Sequence, residues 1–256
     1  MRAYGISHIG KVRESNQDAF FVQTDPIGSL SNLYIVADGM GGHLAGEIAS
    51  TSSITAFSEF VKTHIFPQEN LLDFLVEATQ FANFVVYKKS QENKNYRGMG
   101  TTFISMSIQN NKVYASHIGD SRIYKIDEHS ITQITQDHSY VEEMLRRGEI
   151  SKEQAVNHPN KNVLTRALGD ENLANVDAIV FDVKKGDKIL MCTDGLTNMV
   201  LDRDIKDIIT ENSIEVAANN LVVRANANGG KDNITCLLVE IDTGAIAAVT
   251  GDSDAS

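Results

Sequence analysis

The chain has 256 residues, 42% apolar and 22% charged, enough for one large core or two small ones. With 34 acidic and 23 basic side chains the net charge is −11, and no basic stripe is present, which argues against nucleic acid as the main partner. Cys192 and Cys236 lie in apolar runs without CxxC spacing and read as buried thiols of a reducing cytoplasm; no signal segment and no apolar run of about 18 residues predicts export or a membrane span.

Strands are expected at 2–9 and 19–24, followed by a nearly all-apolar strand at 32–37. A helical period then covers 44–63, with Leu44, Ile48, Phe57, Phe60 and Val61 on one face. Pro67 breaks the chain before a second helix at about 68–91, with Leu71, Leu72, Leu75, Ala78, Ala82 and Val85 on one side. Strand pairs follow at 101–108 with 112–118, and at 121–126 with 130–134. Short helices are expected at 138–147 and 151–156, split at Gly148. Strands near 163–167, 177–183 and 187–193 precede helices at 201–210 and 213–227 and a last strand at 233–241. The small, polar tail from Thr243 is expected to be disordered. Strands in blocks and helices in pairs, without βαβ alternation, indicate an α+β class with antiparallel sheets and helices outside, in one compact domain over 1–242.

Several apolar runs stop at an aspartate. "LYIVADG" ends in Asp38 and Gly39, "KILMCTDG" in Asp194 and Gly195, and "YASHIGD" in Asp120; Asp18 opens one strand and Asp232 precedes another. One Asp-Gly after a strand is ordinarily a turn. Five such acids at strand ends point to a shared cleft, where like charges must be relieved by protonation or by a cation. An all-oxygen donor set selects Mg²⁺ or Mn²⁺, and the glycines admit backbone carbonyls such as that of Gly39. "GMGGHLAG" lacks the Lys-Ser/Thr of a phosphate loop and the spacing of a dinucleotide fingerprint. A carboxylate-bound metal pair generates a nucleophile from water and clamps phosphate oxygens, and Arg13, five residues before Asp18, could hold the remaining ones.

"KVRESNQDAF", "VADGMGGH", "GMGTT", "HIGDSRIY", "LTRALG", "CTDGL" and "GGKDNIT" occur in that order. Over about residues 1–241 the chain resembles the bacterial metal-dependent Ser/Thr protein phosphatases of type 2C. The resemblance implies a four-layer α-β-β-α sandwich with two central antiparallel sheets flanked by helix pairs. It implies hydrolysis of phosphoserine and phosphothreonine by direct attack of a water bridging two Mn²⁺ or Mg²⁺ ions, on phosphorylated proteins in the cytoplasm and in opposition to a Ser/Thr kinase; the sequence itself shows no strong interface stripe, and a monomer is expected. By position, Asp38 bridges both metals, the Gly39 carbonyl binds one, and Asp194 and Asp232 bind the other. Asp18 is a ligand or holds metal-bound water, Arg13 binds the substrate phosphate, and Asp120 anchors a third, weaker ion. Residues 136–165 match a flap beside the active site. Gln17 stands where many members have Glu, and Met40 follows the first Asp-Gly, which leaves His43 as candidate general acid, as a helix cap, or as a partner of a carboxylate behind the metal ligands. Thr101 and Thr102 are expected to satisfy backbone groups near the metals, Asn233 to orient the Asp232 loop, and His138 and His158 to be flap surface residues. A phosphoprotein-binding pseudophosphatase and a metal phosphodiesterase are the alternatives. The first is disfavoured because Asp38, Asp194 and Asp232 are all present, the second by the charge of −11.

Overall fold

The computed structural model describes residues 1–42, 44–65, 70–156 and 158–242. In chain order its strands and helices are β1 (Arg2–His8), β2 (Asp18–Gln23), β3 (Leu33–Met40), α1 (Ala45–Thr63), α2 (Leu71–Glu92), β4 (Gly100–Thr101), β5 (Phe103–Gln109), β6 (Lys112–Ile118), β7 (Arg122–Ile126) and β8 (Ile131–Gln133). They continue with α3 (Tyr140–Arg146), α4 (Lys152–Val156), β9 (Asp177–Asp182), β10 (Lys188–Cys192), α5 (Asp194–Thr197), α6 (Asp202–Glu211), α7 (Ile214–Ala227) and β11 (Ile234–Glu240). One antiparallel sheet runs β1-β11-β10-β7-β8. The other runs β2-β3-β5-β6-β9, with β4 also paired to β3.

Period-2 alternation sorts each strand between two cores. On β3, Leu33, Ile35 and Ala37 face α1 and α2, where they join Phe57, Val61, Leu75 and Ala78. Tyr34 and Val36 face the other way and meet Ile104, Met106, Ile189, Met191, Leu237 and Val239 between the sheets. The opposite parity of β10 and β11, with Leu190, Cys192, Cys236 and Leu238, packs on Ile205, Ile209 and Leu221 of α6 and α7. The layers are therefore helices, sheet, sheet, helices, the α+β sandwich expected from the sequence.

Three expectations are corrected. Residues 163–167 form no strand. They carry only an isolated antiparallel bridge, Leu164 to Ser139, closed by Tyr140 N–H donating to the Val163 carbonyl (2.8 Å) and Thr165 N–H to that of His138 (2.9 Å). Leu44, at the N-cap, does not join the buried face of α1; it is 58% exposed, whereas the expected Phe57, Phe60 and Val61 are buried, together with the small Ala45, Ala49, Ser50 and Ser53. His138 is not a surface residue: it is 5% exposed. Short β4 and α5 were not expected. The break at Pro67 and the tail from Thr243 lie outside the described residues.

Candidate metal centre

The inter-sheet alternation does not stop where the apolar residues do. Continuing the parity of Tyr34 and Val36 by one step gives Asp38, and that of Val22 and Phe20 gives Asp18; the two lie directly opposite in the β2–β3 register. In the same way Met191 leads to Thr193, Leu237 to Thr235, Ile104 to Thr102 and Ile123 to Ser121. A polar layer thus closes one end of the apolar sandwich, and the candidate acids gather there.

Asp18 is held from the opposite sheet. Its Oδ2 accepts hydrogen bonds from Thr193 Oγ1 (2.9 Å) and Thr235 Oγ1 (2.7 Å), while its buried Oδ1 has no hydrogen-bond partner. Asp38 is fixed through its backbone: its N–H donates to Thr102 Oγ1 (2.9 Å), and its carbonyl accepts from Thr101 Oγ1 (2.9 Å) and Thr102 N–H (2.9 Å). The expectation for these two threonines is met. Gly39 cannot be another residue, because a Cβ there would meet the Gly46 carbonyl oxygen at 2.0 Å. A Cβ on Gly46 would in turn lie 2.7 Å from Gln17 Cδ, so the Gln17 amide packs into the same turn.

Asp194 opens α5 and accepts from Asn198 Nδ2 (2.9 Å). Asp232 accepts from Arg13 Nη2 (2.7 Å), which draws the half-exposed guanidinium over the cluster, within the field of Asp38 and Asp194. Asn233 does more than steer Asp232. Its side chain accepts from Gln17 N–H (2.8 Å) and donates to the carbonyls of Ile9 (2.9 Å) and Ser15 (3.0 Å), pinning the loop that carries Arg13.

The acids sense one another. Burial pushes the Asp38 carboxyl well above the usual range, and repulsion from Asp18, Asp194, Asp120 and Asp232 adds to it. Asp120 is raised to about 8, by burial first and then by Asp194 and Asp137. Asp18 rises to about 7, where burial outweighs the threonine hydrogen bonds, and Asp194 to about 6 through burial and Asp232. All five predicted aspartates are thus brought together, with Arg13 beside them. His43 lies outside the described residues. Four of the acids hold their protons too tightly for ordinary carboxylates, and Asp18 Oδ1 lacks a donor. Such a cluster of buried oxygen donors could hold hard divalent cations, which would relieve its charge.

Comparison with known proteins gives the same class. A family model described as protein phosphatase 2C matches residues 4–238. The serine/threonine phosphatase stp of Listeria monocytogenes serotype 4b is 40% identical over 238 residues, covering 91% of this chain and 93% of that protein. The Streptococcus agalactiae serine/threonine phosphatase structure superposes with a TM-score of 0.88 at 33% identity, over 94% of this chain and 99% of that one. The catalytic domain of the phosphatase PstP, solved in complex with two manganese ions, superposes with a TM-score of 0.82 at 30% identity, over 94% and 98%. The chain belongs to the protein phosphatase 2C family. Its activity is that of a protein-serine/threonine phosphatase.

Proposed function

We propose that Asp18, Asp38, the Gly39 carbonyl, Asp194 and Asp232 hold two Mn²⁺ or Mg²⁺ ions, that Asp120 serves a third and weaker one, and that residues 1–242 act as one catalytic domain. The observation that carries this reading is the mutual electrostatic coupling of buried carboxylates around an unpartnered Asp18 Oδ1. Bound there, such ions supply a water-derived nucleophile near neutral pH and charge stabilisation for a phosphoryl group in flight. The chain's own residues supply the rest. Thr193 and Thr235 fix the Asp18 carboxylate, Thr101 and Thr102 fix the Asp38 backbone, and Arg13 offers a planar fork of donors to phosphate oxygens. The substrates on this reading are phosphoserine and phosphothreonine proteins, with a Ser/Thr kinase as the opposing enzyme, in the cytoplasm. No helix among the described residues is long and apolar enough to cross a membrane.

Hydrolysis of p-nitrophenyl phosphate and of a phosphothreonine peptide, with Mn²⁺ and then with excess EDTA, tests the proposal. Product with Mn²⁺ and none with EDTA is expected; equal rates in both would reject it. Arg13→Ala is expected to raise KM for p-nitrophenyl phosphate by roughly ten- to a hundredfold, the loss of a charge-assisted pair worth about 1.5–3 kcal/mol, with kcat changed less. An unchanged KM would remove Arg13 from the substrate site.

A further inference from the structure

Beside the carboxylate cage, at the start of the flap, lies a second group of titratable side chains: His117, His138 and Asp177. Each offers one ligand-type atom, and these atoms lie within 4.8 Å of one another. Such a set could suit a transition metal, but the hydrogen bonds assign it another role. Gly119 N–H donates to His138 Nδ1 (3.1 Å), so that nitrogen carries the lone pair and Nε2 carries the proton of the neutral ring. The Nε2 proton is directed to Asp177 Oδ2 (3.1 Å), whose other oxygen accepts from Arg166 Nη1 (3.1 Å). Nε2 has no lone pair to give a metal. His117 packs against this ring at a tilt of 37° (centroids 4.8 Å apart), and its own Nε2 lies 3.0 Å from the Ser121 carbonyl.

His138 also binds through its backbone. Its N–H donates to the Gly119 carbonyl (2.8 Å), and its carbonyl accepts from Thr165 N–H (2.9 Å). Both polar groups of the Gly119 backbone are therefore held by one residue, and that residue ties the two ends of the flap together. Gly119 has φ +110°, and a Cβ on it would fall 2.6 Å from Thr102 Cβ. It is thus wedged between His138 on one side and Thr102 on the other, and the Thr102 hydroxyl holds the Asp38 N–H. Asp120 is the next residue.

We infer that His138 is a positioning residue: its Nδ1 lone pair, kept in place by Asp177 at Nε2, latches the flap to the Gly119–Asp120 turn and so sets the Asp120 carboxylate relative to Asp38. No substrate or metal contact by His138 is involved. The catalytic consequence rests on the metal-centre reading above, but the latch itself does not.

The two amide side chains separate the ring's nitrogens. Asparagine places its oxygen near the position of Nδ1 and can accept from Gly119 N–H; glutamine reaches toward the position of Nε2 and cannot. The test compares wild type, His138→Asn and His138→Gln in the full chain. The first readout is hydrogen exchange of the Gly119 amide without metal. Exchange in the glutamine variant is expected to be about tenfold faster than in wild type, one neutral hydrogen bond's worth, and near wild type in the asparagine variant. Equal exchange in the two variants overturns the latch. If either variant fails to fold, Asp177→Asn, at a half-exposed partner, takes its place. Loss of the carboxylate that fixes the tautomer is expected to speed Gly119 exchange measurably, and no change overturns the latch. The second readout is kcat for p-nitrophenyl phosphate across Mn²⁺ concentration. His138→Gln is expected to need about tenfold more Mn²⁺ for half activation, as is Asp120→Ala, with KM within about twofold and with rescue by asparagine. Normal Mn²⁺ activation in Asp120→Ala would reject the third-ion reading, whereas normal activation in His138→Gln alone would reject the positioning role.

Discussion

Asp38→Asn is expected to abolish turnover while making the metal-free protein more stable. Asp38 sits at the centre of the cluster: Asp18 faces it across the β2–β3 ladder, and Asp194, Asp120 and Asp232 all repel its charge. Two carboxylates directly opposite on antiparallel strands destabilise a sheet, and burying them adds to the cost. Without metal, the folded protein must keep Asp38 protonated at pH values where the unfolded chain has released the proton. Asparagine is neutral in both states and escapes that cost. The melting temperature of the EDTA-treated variant should therefore exceed that of wild type above pH 7, with the difference vanishing near pH 4, where the unfolded carboxyl is itself protonated. Turnover with saturating Mn²⁺ should fall by about three orders of magnitude or more, since several kcal/mol of charge stabilisation is removed and each 1.4 kcal/mol is a factor of ten. Thermal melts and steady-state kinetics on the same samples check both halves. Near-normal turnover would take Asp38 out of the centre. A lower melting temperature without metal would mean that the aspartate stabilises the fold rather than serving a cation.

The second large effect is a reversal of pH dependence by metal. Asp18, Asp194 and Asp120 have carboxyls raised to about 7, 6 and 8 in the folded protein. A raised carboxyl means that the folded state binds more protons than the unfolded state between the two pKa values. Stability from these groups is therefore fully present below about pH 4 and is lost progressively as pH rises to about 8. In EDTA, the melting temperature should fall across pH 5 to 8. Mn²⁺ takes the place of those protons, so its stabilising increment should grow over the same interval. At about 100 times its dissociation constant a ligand adds about 2.7 kcal/mol, or about 5–10 °C for a chain of this size. Scanning calorimetry with and without Mn²⁺ at several pH values decides this. A metal-free melting temperature that is flat from pH 5 to 8 would contradict convergence of the acids.

Much of the centre was legible because chemistry and chain geometry coincide locally. An apolar run that stops at Asp-Gly marks a strand end carrying charge, and it does so at Asp38 and Asp194 without reference to any other part of the chain. The threonine clamps were legible only in retrospect. The step of two that runs from Leu237 to Thr235 and from Met191 to Thr193 extends the inter-sheet face by one residue, but a threonine at a strand end is also an ordinary strand residue. Their meaning appears only when Asp18, from the other sheet, is found between them. Asn233 is similar, since its three bonds reach residues more than 200 positions away. Leu44 misled because it fits the helical period of Phe57 and Val61, yet it stands at the N-cap of α1, outside the helix, and stays exposed.

The sequence by itself determined the α+β class and the number and chemistry of the acidic strand ends, whose all-oxygen donors pointed to a hard divalent cation; the layering came from the family resemblance. Periodicity and side-chain type are local properties, and each strand carries its own. Tertiary structure alone decided that Asp18 opposes Asp38, that two threonines of the far sheet hold Asp18, that Asp232 draws Arg13 inward, and that His138 is a buried latch rather than a flap surface residue. These depend on strand register and on the stacking of two sheets, where one residue of slip would turn every side chain to the opposite face.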